Sequence, residues 1–135
     1  MKLVSIYQGL CDPLRLRILH LLQPGELCVC HLQEILKAPQ VRISKHLAYL
    51  RTRGLVEVRR EANWMVYRLP AKPARELAAN LACLQDCVGE DPVFRRDLAK
   101  RHLLERKFAR TSPVCCAPTG KKSLAPSRSR SRTRP

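Results

Sequence analysis

The chain has 135 residues, with 26 Lys and Arg against 11 Asp and Glu and a formal net charge of +15. That length holds one small domain with a tail rather than two domains. The charge favours a polyanionic partner, because each neutralised phosphate releases condensed counterions, while no apolar run is long enough for a secretory h-region or a membrane span.

In chain order, Lys2–Leu10 has the spacing of a short amphipathic helix. Asp12 then reads as a cap and Pro13 as a first-turn residue, with Leu14, Ile18, Leu21 and Leu22 following at helical steps to a stop at Pro24-Gly25. Residues 28–37 carry Leu32, Ile35 and Leu36 on one face, and Ala38-Pro39 breaks the segment. A further helix is predicted over 40–53, with Ile43, Leu47 and Leu50 buried and Gly54 as its left-handed terminator. Residues 55–59 and 65–69 alternate around Glu61-Ala62-Asn63, which signals a hairpin. Pro70 and Pro73 precede another helix, in which Leu77, Leu81, Leu84 and Val88 recur until Gly89. A polar helix is expected over 92–110, and from residue 111 onward Pro, Ser, Arg and Lys dominate without any acid.

This order predicts a mainly α chain with a small β-hairpin, a winged helix-turn-helix. The expected organisation is a DNA-binding and dimerisation domain over 1–90, a helical extension over 91–110 and a disordered basic tail over 111–135. A major groove about 12 Å wide accepts one helix, and the hairpin becomes a wing beside the phosphates. Off the apolar face of the 40–53 helix lie Gln40, Arg42, Ser44, Lys45, His46, Arg51 and Arg53. Gln pairs with adenine, Arg and Lys reach guanine, and Ser44 and His46 suit bases or phosphates. From Gln40 to Arg68 there are seven basic and two acidic residues, which adds Arg59 and Arg60 of the hairpin to the DNA-facing set. An ordinary solvated basic face is the bland alternative; the glycine stop and basic hairpin weigh against it. The apolar faces of the first helix and of 71–88 exceed the needs of one small core, so a homodimer is expected.

Seven cysteines, an odd number with pairs at Cys28/Cys30 and Cys115/Cys116, do not form a secreted disulfide framework. In a reducing cytoplasm, the expected location, they point to metal or redox chemistry. Thiolates are soft ligands, and a helix N-terminus in a basic chain favours the deprotonated form of Cys28 and Cys30. Residues two apart lie about 200° apart on a wound helix. The two sulfurs therefore share an ion only if Cys28 lies outside the first turn or if ion binding unwinds that turn. Unwinding would displace residues 40–46 from the groove.

The run Glu26-Leu27-Cys28-Val29-Cys30-His31-Leu32, then Ile43-Ser44-Lys45-His46-Leu47-Ala48-Tyr49-Leu50 and Gly54-Leu55-Val56, resembles the ArsR/SmtB family over residues 3–69. Those are homodimeric winged-helix repressors of bacterial metal-resistance operons, and the Cys-Val-Cys form is similar to their arsenite-responsive branch. The resemblance implies repression of a resistance operon, relieved by As(III) or Sb(III) as inducer with no organic cofactor. It also implies that Gln40, Arg42, Ser44, Lys45 and His46 face double-stranded operator DNA. Relatives of the arsenite type often place a third cysteine where Gln33 stands and an acid where His31 stands, so this chain departs from them twice. Cys116 and Cys115 are ranked as further ligands ahead of Cys11.

Cys83 and Cys87 share one helix face and can bind an ion together, but their apolar neighbours predict that they pack as small hydrophobes. His20 and His102 are expected to be structural or solvated. Alternatives are a Cd(II)- or Pb(II)-responsive repressor of the same fold and a thiol redox-sensing regulator. No catalytic grouping or phosphate loop points to an enzyme, and the few aromatics give little support to an RNA-binding module.

Overall fold

A computed structural model describes residues 1–111, with side chains described through residue 107. Its elements are α1 Lys2–Leu10, α2 Pro13–Leu22, β1 Leu27–Cys28, α3 Val29–Leu36, α4 Gln40–Thr52, β2 Glu57–Glu61, β3 Trp64–Arg68, α5 Arg75–Val88 and α6 Pro92–Thr111. The order and the antiparallel β2–β3 pair are those of a winged helix-turn-helix.

Local chemistry sets the helix ends. The Asp12 carboxylate accepts hydrogen bonds from the backbone N–H groups of Leu14 at 2.8 Å and Arg15 at 3.0 Å, and Pro13 opens α2. α3 stops at Lys37, which takes a left-handed φ of 54°, and Pro39 precedes α4. At the far end of α4, Gly54 has φ +73° and its N–H reaches the Arg51 carbonyl, while the Leu55 N–H reaches that of Leu50. This pair of bonds is a Schellman cap, and the buried Leu50 and Leu55 supply its apolar clasp.

The core lies between α2, the α3–α4 pair and α5. Ile18, Leu19, Leu21, Leu32, Ile43, Leu47, Leu50 and Leu55 are fully buried in it. Ile43, Leu47 and Leu50 follow the predicted spacing, which leaves the opposite face of α4 outward. α1 approaches so closely at Gly9 that an added Cβ would stand 2.5 Å from Leu55 Cδ2.

Two findings depart from the sequence expectations. The hairpin belongs to a three-stranded sheet of order β1-β3-β2, because Leu27 pairs with Tyr67 and Cys28 with Val66. Cys83 and Cys87 are exposed rather than packed. Leu77, Leu81 and Leu84 already turn into the core, and positions 83 and 87 fall on another side of α5.

α6 docks on α2 through buried charge. Asp97 accepts two 2.8 Å hydrogen bonds from the Arg17 guanidinium. Arg101 Nη1 donates to the carbonyls of Leu21 at 2.7 Å and Gly25 at 3.2 Å, so it closes the end of α2. His20 is buried with its ring 5.2 Å from that of Phe94, while His102 is exposed beside Glu105. Among the described residues no helix is long and apolar enough to cross a membrane.

Candidate DNA interface and thiol site

On α4, Gln40, Arg42, Lys45 and Arg51 are exposed, and Ser44 and His46 are half-buried. The helix therefore presents donors along one side while its leucines hold the other. Arg53 is occupied within the fold, its guanidinium 3.4 Å from the Tyr49 ring centroid. Arg15 of α2 lies over the same ring at 4.3 Å, so two cations contact Tyr49. The Arg15 guanidinium also donates to the carbonyls of Gly9 at 2.8 Å and Gln8 at 2.9 Å, and lies 3.4 Å from His46 Nδ1. Sequence reading missed Arg15, since its partners are distant in the chain and leave no local pattern.

In the wing, Arg59 is exposed but paired. It donates to the carboxylates of Glu26 and Glu61, and these bonds strengthen its hold on its proton. The bond from Arg59 in turn holds Glu26 below the usual carboxylate range, against a smaller opposing effect of burial. Arg60 is exposed, with its Nε donating to the Ala62 carbonyl at 3.3 Å.

The thiols lie where the wing meets the helix pair. Cys28 is the N-cap of α3, with extended backbone at φ −85° and ψ 161°, and it also belongs to β1. Of the two routes open to a two-residue spacing, the fold takes the first: Cys28 stands outside the helix. The Sγ atoms of Cys28 and Cys30 are 2.9 Å apart while α3 remains wound, so unwinding is not needed to bring them together. Cys28 and Val66 are buried, with Cys30 and Trp64 packed against them.

His31 completes the group: its imidazole and the two sulfurs offer donor atoms that all lie within 4.8 Å of one another. Two sulfurs and one imidazole nitrogen fit a soft or borderline ion better than a hard one. The sequence reading treated His31 only as a departure from the family pattern, although its place beside Cys30 was the available signal. Among the described residues, Cys11 is exposed and outside this group. Cys115 and Cys116 lie outside the described residues.

A wing, an exposed basic helix and a three-donor cluster at their junction define a winged helix-turn-helix DNA-binding regulator. The family model described as "Bacterial regulatory protein, arsR family" matches residues 12–58. The chain is 40% identical over 104 residues to an arsenical resistance operon repressor of Escherichia coli, covering 73% of this chain and 86% of that one. Among solved structures it is similar to HlyU from Vibrio cholerae, with TM-score 0.60, 34% identity and coverage of 66% of this chain and 94% of the other. A homodimeric winged helix-turn-helix DNA-binding domain from Mycobacterium bovis is also similar, with TM-score 0.56, 29% identity and coverage of 66% and 80%. The chain belongs to the arsR family of bacterial transcriptional regulators.

Proposed function

We propose that this regulator represses an arsenic-resistance operon in the cytoplasm and releases its operator when As(III) or Sb(III) binds Cys28 and Cys30. The observation that carries the reading is the convergence of two sulfurs and an imidazole at the junction of wing and helix pair. Thiolates select soft ions over hard ones. His31 is the nearest further donor, and Cys115 and Cys116 of the tail are the others.

Gln40, Arg42, Ser44, Lys45 and His46 serve as the groove-facing set, with Arg51, Arg59 and Arg60 on phosphates. Arg59 would exchange its carboxylate partners for a phosphate on binding. The leucines of α5 are buried inside the protomer, whereas Val4 and Tyr7 of α1 are exposed and supply apolar surface for a second copy. A two-fold dimer would read half-sites about 34–36 Å apart.

The switch follows from the location of the donors. Cys28 belongs to the wing sheet and Cys30 to α3, which packs on α4. An ion shared by both sulfurs ties these parts together and shifts wing and reading helix relative to each other. A coupling of about 1–3 kcal/mol weakens DNA binding roughly 5- to 150-fold.

The test is a mobility-shift titration with arsenite. Wild type releases operator, whereas the Cys28→Ser, Cys30→Ser double variant binds operator and keeps it. Trp64, the single tryptophan, packs beside the thiols, so its fluorescence changes with arsenite in wild type alone. Release of operator by the double variant overturns the proposal. The 2.9 Å sulfur contact also favours a second reading, thiol oxidation as the signal; release by peroxide but not arsenite assigns the site to it. Release by Cd(II) or Pb(II) alone assigns it to those ions.

A further inference from the structure

Val41 lies at the second position of α4, between Gln40 and Arg42, and is 67% exposed. Of the large apolar side chains exposed among the described residues, it alone lies on this helix. Each helical step turns about 100°, so Val41 stands about 200° round from the buried Ile43. With the exposed Lys45 one turn further on, it forms the ridge of α4 opposite the core residues Ile43, Leu47 and Leu50.

The fold gives this side chain no task. It takes no part in the apolar core, and a β-branched residue suits a helix less well than alanine, lysine or arginine. What valine brings is a compact apolar surface of fixed shape. Its χ1 is held largely to one rotamer in a helix, so little freedom is left to lose when a partner packs against it. The major groove offers one apolar group at the base edges, the C5-methyl of thymine, and a recognition helix meets those edges with its N-terminal residues.

We propose that Val41 packs on the 5-methyl group of a thymine in each operator half-site and so specifies thymine at that position. The inference rests on the reading of α4 as the groove-facing helix and deepens it. Gln40, Arg42 and Lys45 act through hydrogen bonds, whereas Val41 separates bases by shape and by excluding water. Cytosine at the same place presents an amino donor and no methyl, which valine can neither pair nor cover without cost. Loss of one methyl contact is expected to weaken binding about fourfold.

The full chain is used to select duplexes from a randomised pool, and each thymine of the enriched half-site is then replaced by deoxyuridine, which lacks only the methyl. Wild type is expected to lose about fourfold in affinity at one such thymine. Val41→Ala is expected to bind the thymine and uracil duplexes equally there, and Val41→Ile to keep the discrimination. Alanine favours the helix, so the Val41→Ala chain is expected to match wild type in circular dichroism and sedimentation. Indifference of wild type to every thymine methyl overturns the proposal. So does a Val41→Ala variant that still discriminates, because another side chain then reads the methyl. Altered sedimentation also overturns it and assigns Val41 to contact between protomers. Failure to enrich any duplex strikes the groove-facing reading itself and this inference with it. Arsenite is left out of these titrations, so their outcome is separate from that of the arsenic reading.

Discussion

Arg15 on the second helix lies 3.4 Å from Nδ1 of His46 on the reading helix, while its other nitrogens hold the last carbonyls of the first helix. One guanidinium thus joins three helices at the surface proposed to meet DNA. When Arg15 donates to Nδ1, the neutral imidazole carries its proton on Nε2 and can offer it to an acceptor on DNA. Arg15→Ala leaves two carbonyls without this partner and frees His46 to turn. A loss of about 1.5–3 kcal/mol in stability is expected from a charged hydrogen-bonding group, with weaker operator binding beyond what unfolding explains. Urea denaturation and mobility shifts on the same variant check both. Unchanged operator affinity in the folded variant would remove Arg15 from the reading surface.

The clasp between Arg17 and Asp97 makes α6 part of the fold's support. Both oxygens of Asp97 are used, and its side chain is only 3% exposed against 25% for Arg17. The hydrogen bonds that Arg17 donates to Asp97 raise the Arg17 pKa, against smaller opposition from burial. Asp97→Ala leaves a partly buried cation unpaired, a change that costs about 3 kcal/mol. Arg17→Leu in the same chain should recover part of that loss by removing the cation. Chemical denaturation of both variants measures it, and a cost below 1 kcal/mol for the single change would mean that water replaces the carboxylate.

Much of this architecture was legible locally. Asp12-Pro13, the stop at Gly54 and the repeats of Ile43, Leu47 and Leu50 act within a few residues, and each lies where its chemistry requires. β1 was not legible, because Leu27 and Cys28 become a strand only by pairing with Tyr67 and Val66 some forty residues later. The sequence alone leaves Cys28 either outside the first turn of α3 or within a turn that must unwind, and the strand pairing places it at the cap, outside that turn. The exposure of Cys83 and Cys87 was available in principle. Position 83 falls about 200° from Leu81 on an ideal helix, so apolar neighbours in sequence were a poor guide to burial. The Arg15–His46 contact joins residues 31 positions apart and has no sequence signature.

Acid should loosen the domain in two stages. Burial lowers the pKa of His20, and the charge of Asp97 only partly offsets it. For a histidine lowered in the fold, the neutral form is the stable one. Its contribution is intact above the unfolded value near 6.5 and is lost as pH falls through the lower folded value. Burial alone would raise Asp12, but the backbone hydrogen bonds from Arg15 and Leu14 and the nearby charges of His46 and Arg15 outweigh it and lower the group. Its contribution is present above about 3.9 and disappears below that. His20→Leu is expected to flatten the first stage in a pH series of thermal melts. Asp12→Asn keeps the cap and flattens the second, whereas Asp12→Ala costs about 1 kcal/mol at neutral pH. A pH profile identical in His20→Leu and wild type would place the first stage elsewhere.

The wing turn carries a correctable strain. Glu61 pairs with Trp64, so Ala62 and Asn63 alone make the turn, and Ala62 has φ +52°. An L-residue in that region costs about 1–2 kcal/mol because its Cβ crowds the following carbonyl. Glycine removes the Cβ but loses more freedom on folding, by about 0.5–1 kcal/mol relative to alanine. Ala62→Gly should therefore stabilise the protein by about 0.5–1 kcal/mol. Ala62 is exposed and Arg60 bonds only its carbonyl, so that hydrogen bond survives the change. The expected result is a higher urea midpoint at unchanged slope, with operator affinity within about twofold of wild type because no DNA-facing side chain is altered. A lower midpoint would show that the turn does not hold alanine in the left-handed region in solution. A lost operator complex with a raised midpoint would show that the wing must retain alanine's restriction to reach the phosphates.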